Sequence, residues 1–222
     1  MLVRHAQPEW VRDGLNVVDP PLTELGFGQA EQLVAALTDE TFDEVLLSPM
    51  LRARQTAAPY LTATGRDEVI AGWLEEIRDP KWHGTPMERA AEAYAELRGR
   101  PALGRWDGLT GGESTRDFVD RMRLGATNFL AERGVRRVEH ELPVWEIKEP
   151  GAKILLIAHA GTNSVTITHL LGLAPTPWEW ERFVLGHASI SRVEALALGD
   201  GYTFSLTTLS DVEHLPLDHR TR

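Results

Sequence analysis

Three short apolar runs, each ending in a polar residue suited to chemistry, constrain the fold more than any other feature of the sequence. Residues 153–158 (KILLIA) form the strongest run and stop at His159. Residues 42–47 (FDEVLL) stop at Ser48, with Arg52 four positions on, and Leu2-Val3 runs into Arg4-His5. Unbroken apolar runs of this length read as strands buried on both faces. Helical signals lie between them. Thr23 is an N-cap candidate for a helix to about Leu37, and Ser48-Pro49 reads as the cap and first turn of a helix that stops at Gly65. Residues 69–77 read as irregular or a short strand, 87–97 as a helix and 101–112 as a loop. Ser114 to Asp117 has the spacing of a capping box for a helix to about Glu132. A helix from about Thr162 to Leu171 follows the third run. Residues 190–198 and 202–209 then read as a closing strand pair around Gly199-Asp200-Gly201. This order predicts an α/β fold: a three-layer α/β/α sandwich with a mostly parallel central sheet.

The 222 residues suffice for one domain with a sizeable core, and no repeat or low-complexity linker divides them. We read residues 1–222 as a single domain, with a helical insertion at about 78–133 and a charged loop at about 135–151. Only four residues precede His5, so the first strand is either trimmed or continues upstream. The absence of cysteine excludes disulfides, thiolate metal sites and Cys nucleophiles, and fits a cytoplasmic protein. No apolar run approaches the roughly 18 residues of a membrane span. A net charge of −10 argues against nucleic acid and anionic lipid as partners. His83, His140, His169, His214 and His219 lack metal-like spacing and read as surface or packing residues, whereas His187, just ahead of a strand, is a candidate for the site rim. Trp10 and Trp82 are candidates for walls of a substrate pocket, with packing as the default.

In an open parallel sheet, ligands bind beyond the carboxyl ends of the strands, and here those ends deliver Arg4-His5, Ser48 with Arg52, and His159. Together with their surroundings these residues resemble the histidine phosphatase superfamily, the phosphoglycerate mutase-like group. The opening LVRHA is similar to the family's L-V-R-H-G, and PLTELGFGQA to its P-L-T-x-x-G-x-x-Q-A segment. SPMLRARQTA is similar to S-P-x-x-R-A-x-Q-T-A, and LEEI to the L-x-E-I that holds the family's acid. GGES resembles a later G-E-S, and HAG the second-histidine H-G-G. The resemblance spans nearly the whole chain, from Leu2 to about Leu215.

That resemblance implies a phosphomonoester hydrolase in which His5 is the nucleophile and forms a transient phosphohistidine. Arg4, Arg52 and His159 would hold the phosphoryl oxygens, with Gln7 and Ala160 as further substrate contacts. Glu76, matched because it directly precedes Ile77, would be the acid, with Glu75 as its rival. No metal or cofactor is expected, since Arg and His supply the positive field. The expected partner is a small phosphorylated substrate, and a homodimer stays open. Two glycines of the family pattern are replaced by Ala6 and Ala160, which removes easy access to positive φ. An asparagine that many relatives carry after the opening motif is Val11 here, leaving Asn16 or Gln7 to substitute. The alternatives are a cofactor-dependent phosphoglycerate mutase and a non-catalytic phosphate-ligand binding module. The mutase is disfavoured because LEEIRDPKWHG lacks the mutases' L-N-E-R-x-Y-G signature.

Overall fold

The computed structural model describes residues 1–138 and 142–222; His140 lies outside the described residues. An eight-stranded sheet forms the centre. β1 (Leu2–Arg4), β4 (Glu44–Leu47), β5 (Val69–Ile70) and β8 (Ile154–Ala158) run parallel in the order β5-β4-β8-β1. β9 (Ile190–Leu198) joins β1 antiparallel, and β10 (Gly201–Asp211), β7 (Trp145–Ile147) and β6 (Val135–Arg137) extend the sheet beyond it. The parallel core is the expected one, and β9 has the expected bounds. The charged stretch 135–151 contributes two three-residue strands that close the antiparallel edge as a hairpin.

Alternation along β8 shows why both faces must be covered. Leu155 and Ile157 pack with Val3, Val45, Leu47, Leu33, Leu37 and Tyr60, beneath α1 (Glu24–Thr38) and α2 (Leu51–Thr64). Leu156 and Ala158 face the other way, onto Phe118 and Met122 of α4 (Thr115–Glu132) and Val165 of α5 (Ala160–Leu170). A third small cluster, Trp82 with Leu97 and Leu109, packs α3 (Met87–Gly99) over the loops of the insertion. The short α6 (Glu179–Arg182) and a two-stranded ribbon, β2 (Val11–Arg12) with β3 (Leu15–Asn16), are elements that the sequence pattern does not mark. No described helix is long and apolar enough to cross a membrane.

Helix ends follow the local signals with one instructive exception. The Thr23 side chain accepts from the Gly26 amide and the Ser114 side chain from the Asp117 amide, capping α1 and α4, and α2 stops at Gly65 in the left-handed conformation (φ 63°). Ser48, expected to cap α2, does not: the helix begins three residues later, and Asp19 Oδ1 accepts its Leu51 amide at 2.8 Å. The cap comes from a distant loop, so Ser48 is left for another role. Because Leu155 is fully buried at the sheet centre, Leu155→Ala should destabilise the chain by about 2–5 kcal/mol. Chemical denaturation should show this as a lower midpoint at unchanged slope.

Candidate active site

Strand order fixes which side chains meet. β8 lies between β4 and β1, and the three end level, with Leu47 opposite Ile157 and Arg4 opposite Ala158. The residues just past these ends are therefore neighbours. His159 Nε2 lies 2.7 Å from Ser48 Oγ on one side, and its ring centroid lies 5.1 Å from that of His5 on the other. Arg52 enters from the first turn of α2, buried to 2% exposure.

Hydrogen bonding sets the state of each group. His5 Nδ1 lies 2.7 Å from the Ala6 carbonyl oxygen, which only accepts, so the ring proton sits on Nδ1 and Nε2 keeps its lone pair. Burial and then the neighbouring His159, Arg52 and Arg4 hold the pKa of His5 well below the ordinary 6.5, so the ring is neutral. His159 is depressed in the same direction by burial and the two arginines. Ser48 Oγ accepts from the Met50 amide at 3.3 Å, and its own proton can go to His159 Nε2, an arrangement in which His159 carries its proton on Nδ1. The Nδ1 of His159 is buried with no hydrogen-bond partner in the protein. The same holds for Arg4 Nε and for Arg52 Nε and Nη1. Burial lowers Arg4 to about 10 and lowers Arg52 as well. The nearest opposite charge to Arg52 is Asp19, with Oδ1 3.7 Å from Nη1, and its guanidinium lies 4.7 Å over the ring of the exposed Trp10.

Glu76 approaches from the start of the insertion. Its Oε2 accepts from the Gly161 amide at 2.9 Å and its Oε1 from the Ile77 amide at 3.0 Å. Burial raises its pKa, against the pull of these amides and of Arg52 and Arg4. A Cβ at position 161 would collide with the carboxylate, so a side chain there would displace Glu76 from this amide. Glu75, by contrast, is turned away into an ion pair with Arg78 at 2.7 Å. Neither Ala6 nor Ala160 adopts positive φ, so the two missing glycines cost the backbone nothing in conformation. Ala160 is the first residue of α5, where amides lack intrahelical acceptors. The Gln7 side-chain oxygen accepts from Thr23 Oγ1 at 2.8 Å. Asn16 is committed to Thr85 and Pro86 and lies outside this cluster.

Several supporting residues escaped the sequence reading. Thr56 Oγ1 accepts from the Ala6 amide and Gln55 Oε1 from the Leu22 amide, which explains physically the Q-T pair that follows Arg52. The glutamate of GGES, Glu113, forms a two-pronged ion pair with Arg121 at 2.8 and 2.9 Å. Arg121 Nη1 donates in turn to the carbonyls of Trp73 and Glu75, which holds the backbone bearing Glu76. His187, the rim candidate, has its ring 5.7 Å from that of His5. Trp82 is packed into the insertion and not into a pocket wall. Among the remaining histidines, His169 packs on Trp145 and His219 meets Gln32. Among the described residues, no group of three or more His, Asp or Glu could hold a metal ion.

Residues 1–203 match the model of the histidine phosphatase superfamily (branch 1). The chain belongs to that superfamily. Among similar proteins, a probable phosphoglycerate mutase of Escherichia coli is 27% identical over 220 residues, covering 96% of this chain and 93% of the relative. A solved structure of a putative α-ribazole-5'-phosphate phosphatase from Escherichia coli matches with a TM-score of 0.68 at 25% identity, covering 95% of each chain. The mycobacterial glucosyl-3-phosphoglycerate phosphatase in complex with inorganic phosphate matches with a TM-score of 0.69 at 23% identity, over 97% of this chain and 98% of that one. Members of this superfamily are thus phosphatases and mutases with the present fold.

The tether from Arg121 to the Glu76 backbone generates a prediction. Under the role that the resemblance gives Glu76, Arg121→Met should leave the fold intact and lower turnover of an alkyl phosphate by roughly 10- to 100-fold, because displacement of a reacting group by about 1 Å has effects of that size. Parallel calorimetry should find inorganic phosphate binding unchanged.

Proposed function

We propose that this chain is a phosphomonoester hydrolase that works through a phosphohistidine on His5 and acts on small phosphorylated metabolites. We read its 222 residues as one histidine phosphatase domain, with residues 78–133 and 135–151 as inserted segments. The observation that carries this reading is the set of three buried guanidinium nitrogens without hydrogen-bond acceptors, Arg4 Nε, Arg52 Nε and Arg52 Nη1, beside the equally unpartnered Nδ1 of His159. Buried donors left unpaired are costly. Several of them around a neutral imidazole suit one tetrahedral anion. A phosphoryl group in transfer spreads negative charge over three equatorial oxygens, and fixed cations at those oxygens are the main source of stabilisation. At an effective dielectric near 20, one cation about 4 Å away contributes about 4 kcal/mol.

The steps follow from the atoms present. The lone pair on His5 Nε2 attacks phosphorus in line, and the P–O bond to the leaving group breaks as the P–N bond forms. Glu76, with its raised pKa, gives its proton to the leaving oxygen. In the second displacement the ionised Glu76 takes a proton from water, the water oxygen bonds phosphorus, and the P–N bond breaks to restore His5. Arg4, Arg52 and His159 hold the phosphoryl oxygens throughout, with the Gln7 side-chain amide and the Ala160 backbone amide as further contacts.

The mutase reading draws on the name of the Escherichia coli relative. Against it, the carboxylates of Asp19 and Asp79 act electrostatically on Arg52, and Arg78, in the stretch that follows Glu76, is already paired with Glu75. That setting disfavours a substrate bearing its own carboxylate. Two assays separate the readings: release of inorganic phosphate from p-nitrophenyl phosphate without bisphosphoglycerate marks the hydrolase, and bisphosphate-dependent isomerisation of 3-phosphoglycerate marks the mutase. The binding-module reading predicts no turnover at all.

Two outcomes are expected. Wild-type protein quenched in alkali during p-nitrophenyl phosphate turnover should carry phosphate on His5, and His5→Ala should carry none and turn over no substrate. Label on another residue would end this reading. The pH dependence should also be asymmetric. Since the His5 pKa lies well below 6.5, activity should not fall as pH drops through that value, and it should decline on the alkaline side as Glu76 loses its proton. Glu76→Gln should abolish the alkaline limb. It should also slow alkyl phosphates by roughly 10²- to 10⁴-fold and p-nitrophenyl phosphate, whose leaving group departs without a proton, by less.

A further inference from the structure

The last residues of the chain reach back beneath the site. Gln29, fully buried on α1, accepts from the Gln7 amide through Oε1 at 2.8 Å, and its Nε2 donates to the His219 carbonyl at 2.6 Å and to Thr221 Oγ1 at 3.0 Å. Thr221 Oγ1 lies 2.9 Å from His187 Nδ1, and the Thr221 carbonyl accepts the His187 amide at 3.0 Å. His187 Nε2 lies 3.0 Å from Arg4 Nη2, while Arg4 Nη1 donates to the Leu185 carbonyl at 2.6 Å. The direction of each bond is forced. A guanidinium only donates, so His187 Nε2 must be the acceptor and the ring proton must sit on Nδ1, from which it goes to Thr221. Burial and the neighbouring Arg4 depress the His187 pKa to about 3, in keeping with a ring that stays neutral and keeps its acceptor. Ala188, next in sequence, is held at φ 54°, a conformation non-glycine residues rarely adopt, and its amide donates to the His5 carbonyl.

We propose that His187 and Thr221 are positioning residues: Thr221 locks His187 in its Nδ1–H tautomer, and the imidazole so fixed aims the Arg4 guanidinium at the bound phosphoryl group. The circuit runs from Gln7, just past His5, through Gln29, Thr221 and His187 to Arg4, just before it, and so clamps the nucleophile's segment from both sides. Neither His187 nor Thr221 reaches the reacting atoms in this arrangement. Their effect passes through Arg4, and its catalytic part rests on the phosphoryl site proposed above.

Thr221→Val tests this directly, since valine keeps the shape and loses the acceptor, and Thr221→Ser serves as the rescue. In the wild-type chain, nitrogen NMR should show His187 protonated at Nδ1 and accepting at Nε2. Thr221→Val, which leaves Arg4 as the sole group enforcing that tautomer, should weaken the preference, and Thr221→Ser should retain it. Calorimetry with inorganic phosphate should find affinity about tenfold weaker in Thr221→Val, a hydrogen bond to a charged group being of that size, and within about twofold of wild type in Thr221→Ser. With p-nitrophenyl phosphate the same variants should change KM more than kcat. A wild-type His187 protonated at Nε2, or unchanged phosphate binding in a folded Thr221→Val, overturns the proposal. A wild-type chain with the expected tautomer that fails to bind phosphate overturns the phosphoryl site instead, and with it the role given to this circuit.

Discussion

A buried guanidinium without a matching carboxylate governs this structure. Arg52 is almost wholly removed from water, and its nearest anion, Asp19, is on the surface at 3.7 Å. Burying a charge costs several kcal/mol unless partners compensate it. Here compensation comes in fragments: an exposed aspartate, an indole face, and Glu76 and Asp79 acting through space. Arg4 and Arg52 thus bring two cations to the strand ends of a chain whose net charge is −10.

Around that cation the sheet divides the labour. The parallel half ends level, which brings His5, Ser48 and His159 side by side. The antiparallel half brings the chain back so that residues 187–191 lie against β1. Helices on both faces then deliver the remaining groups: α2 the arginine, α4 the Arg121 tether, and α1 the buried Gln29. The acid sits on a loop, yet its backbone is tied by Arg121 and its carboxylate by an amide of α5. No group proposed to react depends on a single unsupported contact.

The meeting of His5 and His159 was legible in the sequence because each follows a run whose apolar pattern marks it as a buried strand, and because the motifs around them are local. Strands β8 and β9 were read from pattern, whereas the choice of Glu76 over Glu75 rested on the resemblance to the family's L-x-E-I. What stayed hidden depends on distant pairs. Ser48 looked like a helix cap, and only the position of β8 beside β4 turns it toward His159. Asp19, which does the capping, lies 32 residues before Leu51. Thr221 and His187 are 34 residues apart, and no spacing rule links them to Arg4. The hairpin within 135–151 was illegible for another reason: its strands are three residues each, and β10 supplies the template on which they form.

The first turn of α5 has a consequence for how such a site can change. One short stretch of backbone carries His159 at the helix's entry and, two residues on, the amide that seats Glu76. The imidazole of His159 and the carboxylate of Glu76 are thus set on one rigid gauge. A shift of the helix along its axis moves both together, so the gap between them stays fixed, and under the function proposed above it cannot be tuned to fit a bulkier or slimmer alcohol. Adaptation to new substrates must come from the other wall, the inserted helices and loops of residues 78–113, whose packing is a small cluster separate from the main core.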